Sequence, residues 1–349
     1  MGWWQVDADT LAAGRFVVSP LAETTAALKT LHRGSAGDPG ERAWLDARLP
    51  AYRARLADDP PTALLVRCAL GPAWNATFLT PAPSGDRDQD FPAELARVRD
   101  TPPATARTDL VEARGGAPLP AALRDRDDLP ERAAALLDWV WRHTVLPDWP
   151  RRRRVLEADV LARTARLGDG GWAAALDGMR PGLRWLGENR LRIGVHGQPP
   201  RQLDGVRLLF VPVTPRQSWL CWDTGGRRPH RSAVVYPCSG ALAEPDRPPA
   251  PGALAALLGP GRAAVLVLLG TPKSTTQLVA LTGQGLGSVG RHLQVLRDAR
   301  LIARRRAGRS VLYRWTEAGE GVVRAVTAAP RPSRPPSPAP TSGRSTRSR

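Results

Sequence analysis

The stretch Gly287-Ser288-Val289-Gly290-Arg291-His292-Leu293-Gln294-Val295-Leu296-Arg297-Asp298-Ala299 decides how the C-terminal part of the chain is read. At a helical turn of about 100° per residue, Val289, Leu293 and Leu296 fall on one stripe, the i, i+4, i+7 spacing of a helix with a buried face. Gly287, Arg291 and Gln294 lie opposite, flanked by Ser288 and Gly290, and His292 sits at the margin of the stripe. Just upstream, Ser274-Thr275-Thr276-Gln277 has capping-box spacing, a hydroxyl followed three residues later by Gln, and predicts a helix through Leu278, Val279 and Leu281 that stops at Gly283. Segments 253–258 and 261–269 are apolar enough for two short helices before it. Downstream, 301–306 and 310–315 mix apolar and polar residues as strands do, joined by the turn Ala307-Gly308-Arg309, and 316–319 starts a last helix. The order of helix, helix–turn–helix, basic hairpin and helix predicts a winged helix-turn-helix over 252–329.

The charge is concentrated in the same region. The formal net charge is +17. Residues 252–329 hold 11 basic and 3 acidic side chains, and 330–349 hold 5 Arg and no acid, so only +4 belongs to the first 251 residues. That asymmetry predicts a polyanion-binding module at the C-terminal end. Only Lys29 and Lys273 are lysines; so strong an Arg bias also follows from a GC-rich genome, so the position of the charge carries more information than its Arg identity. Residues 330–349, with 6 Pro and 5 Ser and no large apolar side chain, predict a disordered basic tail.

Three linked segments carry a family resemblance: Thr275-Thr276-Gln277-Leu278, Val289 to Ile302, and Gly308-Arg309-Ser310-Val311-Leu312-Tyr313. Together they resemble the ArsR-type winged-helix transcriptional regulators, over 252–326. The upstream half, with Ser19-Pro20-Leu21-Ala22-Glu23-Thr24, looks like the long uncharacterised N-terminal domain that a subset of these regulators carries. The resemblance implies a homodimer on double-stranded DNA. Two departures limit it. Gly290 stands where the family usually has Ser, and 252–349 contain no Cys, so the Cys-x-Cys metal site of the family's sensors is not carried over.

For DNA recognition the candidates are Thr275, Thr276, Ser288, Arg291, His292, Gln294, Arg304, Arg305, Arg306 and Arg309. A helix fits the major groove with its N-terminal residues at the base edges, and the Arg291 fork matches guanine O6 and N7. Arg304, Arg305, Arg306 and Arg309 suit phosphate contacts, or the minor groove at the hairpin tip. The same charges also protect an edge strand from aggregation. Thr275 and Thr276 stand at a helix N-terminus, which favours a phosphate and equally suits simple capping. For His292 a packed, hydrogen-bonded ring and a phosphate contact are both open. Gly285-Leu286-Gly287-Ser288-Val289-Gly290 matches GxGxxG, but a helix precedes it and Arg304–Arg309 occupy the place of the ribose-binding acid, so dinucleotide binding is rejected.

Residues 1–240 read as a mostly helical N-terminal regulatory or dimerisation domain with a small antiparallel sheet, making the whole chain α+β, and 241–251, with four prolines, read as a linker. Helices are expected after Ser19-Pro20 and over 44–56, 131–146 and 155–167; strands over 191–195, 206–213, 218–222 and 233–236; turns over 198–204 and 223–231. The run Arg151–Arg154 is read as a solvated face that opposes the helix dipole. Eleven of the 12 tryptophans precede Gly252 and suit a core or the lining of a small-molecule effector pocket. Cys68, Cys221 and Cys238 form neither a disulfide framework nor a zinc site, and Cys221 beside Trp219 and Trp222 reads as a small core residue. His32, His143, His196, His230 and His292 are scattered, giving no metal site, catalytic triad or cofactor site. With no leader-like start and no long apolar run, the expectation is a cytoplasmic, non-membrane, non-enzymatic DNA-binding regulator. The alternative is an uncharacterised enzyme or partner-binding protein whose winged helix makes protein contacts.

Overall fold

A computed structural model describes residues 3–36, 39–71, 74–85, 90–193, 201–203, 205–222, 230–238, 252–270, 273–282, 284–307 and 310–327. The expected linker 241–251, the tail 330–349 and the hairpin tip with Arg309 lie outside them. The fold is α+β, with helices predominating and, among the described residues, three small sheets. Among the described residues no helix is long and apolar enough to cross a membrane.

The helix Pro20–Arg33 starts where the sequence predicts, because Ser19 Oγ accepts from the Ala22 amide at 3.0 Å. The Glu94 carboxylate, from helix Phe91–Arg99, adds a second cap by accepting from the Leu21 amide at 2.8 Å. Helices Pro39–Ala57, Pro60–Ala69, Phe91–Arg99, Pro103–Ala113 and Leu129–Val140 gather around this one, and Leu28, Leu65, Leu110 and Leu137 fill the shared core. Three of these helices were not anticipated as such: 60–69, 91–99 and 103–113. Each opens with a proline in its first turn, a position where the missing N–H costs nothing.

The expected small antiparallel sheet is instead two mixed four-stranded sheets. In one, Arg15–Phe16, Arg207–Val213 and Arg231–Pro237 run parallel and Trp219–Trp222 pairs antiparallel at the far edge. Burial explains the difference. Every residue from Leu208 to Val213 is buried, as parallel strands covered on both faces must be. Leu208 and Phe210 face Trp4 and Leu176, while Leu209 and Val211 face Ala22 and Ala26 of the first long helix. In the second sheet, Trp3–Val6 lies between Arg190–Arg192, antiparallel, and Arg201–Leu203, parallel, with Arg184–Gly187 outermost. Residues 201–203, expected within a turn, are thus an edge strand.

The segment Trp149–Leu176 is helical with a break at Gly170 and Gly171, where Gly171 takes φ 63°. Its arginine run is not a uniformly solvated face. Arg152 is only 4% exposed and pairs with Glu23, which is fully buried, at 2.6 Å. The same guanidinium reaches Thr214 Oγ1 at 3.1 Å and lies 5.5 Å from the centre of a Trp44 ring. A buried partner, invisible from local sequence, is what draws this one arginine inward while Arg153 and Arg154 stay exposed.

Residues 252–327 have an apolar cluster of their own. Helices Gly252–Leu258, Pro260–Leu268, Thr275–Thr282 and Leu286–Asp298 are followed by the hairpin Ile302–Ala307 and Ser310–Trp315 and by helix Glu317–Thr327. The hairpin pairs Ile302 with Trp315 and Ala307 with Ser310, and Lys273–Ser274 adds a third antiparallel strand. Trp315 ties the hairpin to the second helix by donating from Nε1 to the Leu266 carbonyl at 2.6 Å. Helix 275–282 also packs on the long helix: Leu281 lies against Val155, Leu156 and Cys238.

Candidate nucleic-acid interface

Helix 286–298 is held from below. Val289, Leu293 and Leu296 are 0%, 2% and 1% exposed, the stripe read from the sequence. Its opposite face, Gly287, Gly290, Arg291 and Gln294, is exposed. Among the described residues Arg291 has no carboxylate partner. The helix ends with Arg300 in the left-handed region at φ 57°, where the Leu301 amide returns to the Leu296 carbonyl at 2.9 Å. That turn delivers the chain into the hairpin, and Thr316 Oγ1 fixes it by donating to the Arg300 carbonyl at 2.6 Å.

Ser288 and His292 form a local pair rather than standing free. Ser288 Oγ donates to Gln284 Oε1 at 3.2 Å and lies 3.3 Å from His292 Nε2. The His292 ring packs so closely on helix 260–268 that a Cβ at Gly261 would come within 2.7 Å of Nε2. Burial, with the nearby positive charges of Arg262 and Arg291, pushes the imidazole pKa down. Neutral imidazole is a hydrogen-bonding spacer more than a phosphate anchor. Arg262 is the residue that sequence reasoning missed here: it lies some thirty positions upstream, and only the packing of helix 260–268 brings its charge beside His292.

On the hairpin, Arg304, Arg305 and Arg306 are all exposed. The register splits them. Arg304 pairs with Tyr313 and Arg306 with Val311 on one face, while Arg305 pairs with Leu312 on the other, the face it shares with the exposed Arg314. Arg309 lies outside the described residues. Thr275 opens its helix and is half-buried; the Thr276 side chain also lies outside the described residues. The glycine-rich segment has a helix before it and Gly285 at the N-cap, so the strand a dinucleotide fingerprint requires is absent there.

Elsewhere, all three cysteines are buried, and the Cys68 sulfur accepts from the Arg114 guanidinium at 3.4 Å. Cys221 is buried and its thiol is pushed up to about 12 by desolvation, which makes it inert as a nucleophile. Among the described residues no group of three His, Cys, Asp or Glu side chains converges on one point. No protein-family model, curated protein or solved structure matches this chain.

Proposed function

We propose that the chain is a DNA-binding transcriptional regulator whose 252–327 unit is a winged helix-turn-helix. In this reading helix 286–298 enters the major groove, Arg291 and Gln294 address base edges, and the arginine-bearing hairpin lies along the phosphate backbone. The observation that carries the reading is the two-sided character of helix 286–298. One face is locked into the core and the other offers glycines, a free guanidinium and an amide beside a basic hairpin. Glycine at 287 and 290 lets a backbone approach closely, which suits a groove better than an ordinary solvated surface. Two copies on a two-fold symmetric site would supply the affinity, with residues 1–238 available for dimer contacts or for a small-molecule effector.

Leu286 and Val295 are 64% and 44% exposed on the same helix, and they favour a second reading in which this surface binds a protein. Selection of bound duplexes from a random pool, followed by anisotropy titration of the full chain, separates the two. If about 6–10 phosphates are neutralised, affinity falls about 10³–10⁵-fold between about 50 and 200 mM salt. An unenriched pool, or a salt-independent affinity, refutes the DNA reading.

A further inference from the structure

A cavity of about 540 Å³ opens beside helix 20–33 in the N-terminal part of the chain. Lys29, Arg33 and Arg180 line it, and among the described lining residues there is no Asp or Glu. Lys29 is held by Asn75, to whose Oδ1 it donates at 3.0 Å, and lies 5.1 Å from the centre of a Trp219 ring. Arg33 donates to Gln217 Oε1 at 3.2 Å. Arg180 has no such support: its Nε and Nη1 are buried and have no hydrogen-bond partner among the described residues. A guanidinium stays protonated in any folded protein, so burying two of its donors unmatched carries a real cost. Beside these cations the lining also holds Trp74, Trp219, Leu70 and Leu220.

A larger cavity, about 980 Å³, lies by Phe16 and Trp149 and contrasts with this one. Its described lining sets Arg15 and Arg153 against Asp90 and Glu157, with Arg153 paired to Glu157 at 2.8 Å, so its formal charges balance.

We propose that the Lys29–Arg33–Arg180 pocket is a binding site for a small organic oxyanion, a carboxylate or phosphate monoester bearing a flat apolar group. The unmatched Nε and Nη1 of Arg180 each offer a charge-assisted hydrogen bond to an oxyanion, and Lys29 adds a point charge. Trp74 and Trp219 take the flat group. The anion removes the mutual repulsion of Lys29, Arg33 and Arg180 and supplies the acceptors that Arg180 lacks. Burial, followed by the charge of Arg33, lowers the Lys29 ammonium to about 8, so binding weakens as pH rises through that value. The site is independent of the nucleic-acid reading, because the titration that tests it contains no DNA.

The test uses the full chain with benzoate, phenyl phosphate, inorganic phosphate and the neutral benzyl alcohol, read by calorimetry and by tryptophan quenching. Benzoate or phenyl phosphate binds saturably, and the tighter of the two names the head group; benzyl alcohol and inorganic phosphate bind at least tenfold more weakly. Arg180→Met and Lys29→Met each lower the affinity about 10–100-fold, as loss of a charge-assisted hydrogen bond does. Arg153→Met, in the other cavity, leaves it unchanged. Arg180→Met also leaves the ligand-free thermal midpoint equal or higher, since the group it removes has no partner to lose. No saturable anion binding below 10 mM, benzyl alcohol binding as well as benzoate, or undiminished binding by both Lys29→Met and Arg180→Met overturns the proposal.

Discussion

Replacing Arg152 with Met leaves the Glu23 carboxylate buried without its counter-charge. Glu23 is fully buried and Arg152 nearly so, so solvent screening does not soften the loss. Removing one partner of such a pair costs about 3–5 kcal/mol. The residual bonds to Glu23, from the Thr214 amide at 2.7 Å and from the Thr214 hydroxyl, satisfy the oxygens but bring no positive charge. Glu23→Gln strands Arg152 in the same way and costs a similar amount. The double variant Glu23→Gln, Arg152→Met has no buried charge at this point, and the Gln oxygen still accepts from Thr214. Its loss is on the order of 1–2 kcal/mol, the scale of a weakened hydrogen bond and imperfect packing. The coupling between the two positions is therefore about 3 kcal/mol or more. Urea unfolding followed by tryptophan fluorescence measures it, with Trp44 stacked near Arg152 as a local reporter. At a slope near 3 kcal/mol/M each single variant moves the midpoint down by about 1–2 M, and the double variant by well under 1 M. Additive losses, with the double variant as unstable as the two singles summed, would refute the claim that the pair acts as one unit.

Three further outcomes are expected. Burial pushes the Glu94 carboxyl up to about 7 against the amide of Leu21, so the folded chain holds this proton more tightly than the unfolded one. Its stabilisation is present below about pH 4.5 and is lost as pH rises through 7; Glu94→Gln should remove on the order of 3 kcal/mol of that decline in stability-versus-pH curves. Gly319→Ala would drive a Cβ to 2.0 Å from the Leu301 carbonyl oxygen, so helix 317–327 must shift away from the hairpin. Overpacking of this kind costs about 1–3 kcal/mol and should appear as faster hydrogen exchange across 301–327, with unchanged exchange in 20–33. Arg291→Ala should reduce discrimination between selected and random duplex by about 1–3 kcal/mol, whereas Arg305→Ala should weaken both alike and lower the salt slope by about one; equal effects of the two would remove the division between base and backbone contacts.

The C-terminal elements were legible because each carries a strong local signal. The stripe of Val289, Leu293 and Leu296 is fixed by helical period alone, and the hairpin by two short strand-like runs on either side of Ala307-Gly308-Arg309. The sheets of the N-terminal part were not. Strands of two to four residues, such as Arg15–Phe16, Trp3–Val6 and Arg201–Leu203, are too short to show a period. For Arg207–Val213 the signal was present but read wrongly: an unbroken apolar run marks a strand covered on both faces, hence parallel pairing, and not a half-exposed antiparallel one. Side-chain partnerships were beyond reach for a different reason. Arg152 and Glu23 are separated by 129 positions, and nothing near either residue announces the other. The same holds for Arg180 and Lys29, whose shared pocket exists only once the turn after the long helix folds back beside helix 20–33.

Leu281 belongs to two hydrophobic seams at once, one within 252–327 and one against Val155, Leu156 and Cys238. A helix clamped on two sides has no side left on which to slip. The orientation of helix 275–282, and through it the angle at which helix 286–298 is presented, is therefore set by the folded state of the long helix Trp149–Leu176, about a hundred residues upstream, and not by the C-terminal unit alone. The consequence is practical as well as mechanical. A fragment cut before residue 252 is not a detachable cassette, because it carries a bare apolar seam in place of a finished surface. Such a piece gains a sticky flank and loses the fixed angle, so its behaviour reports the damage of the cut together with any property of the unit itself.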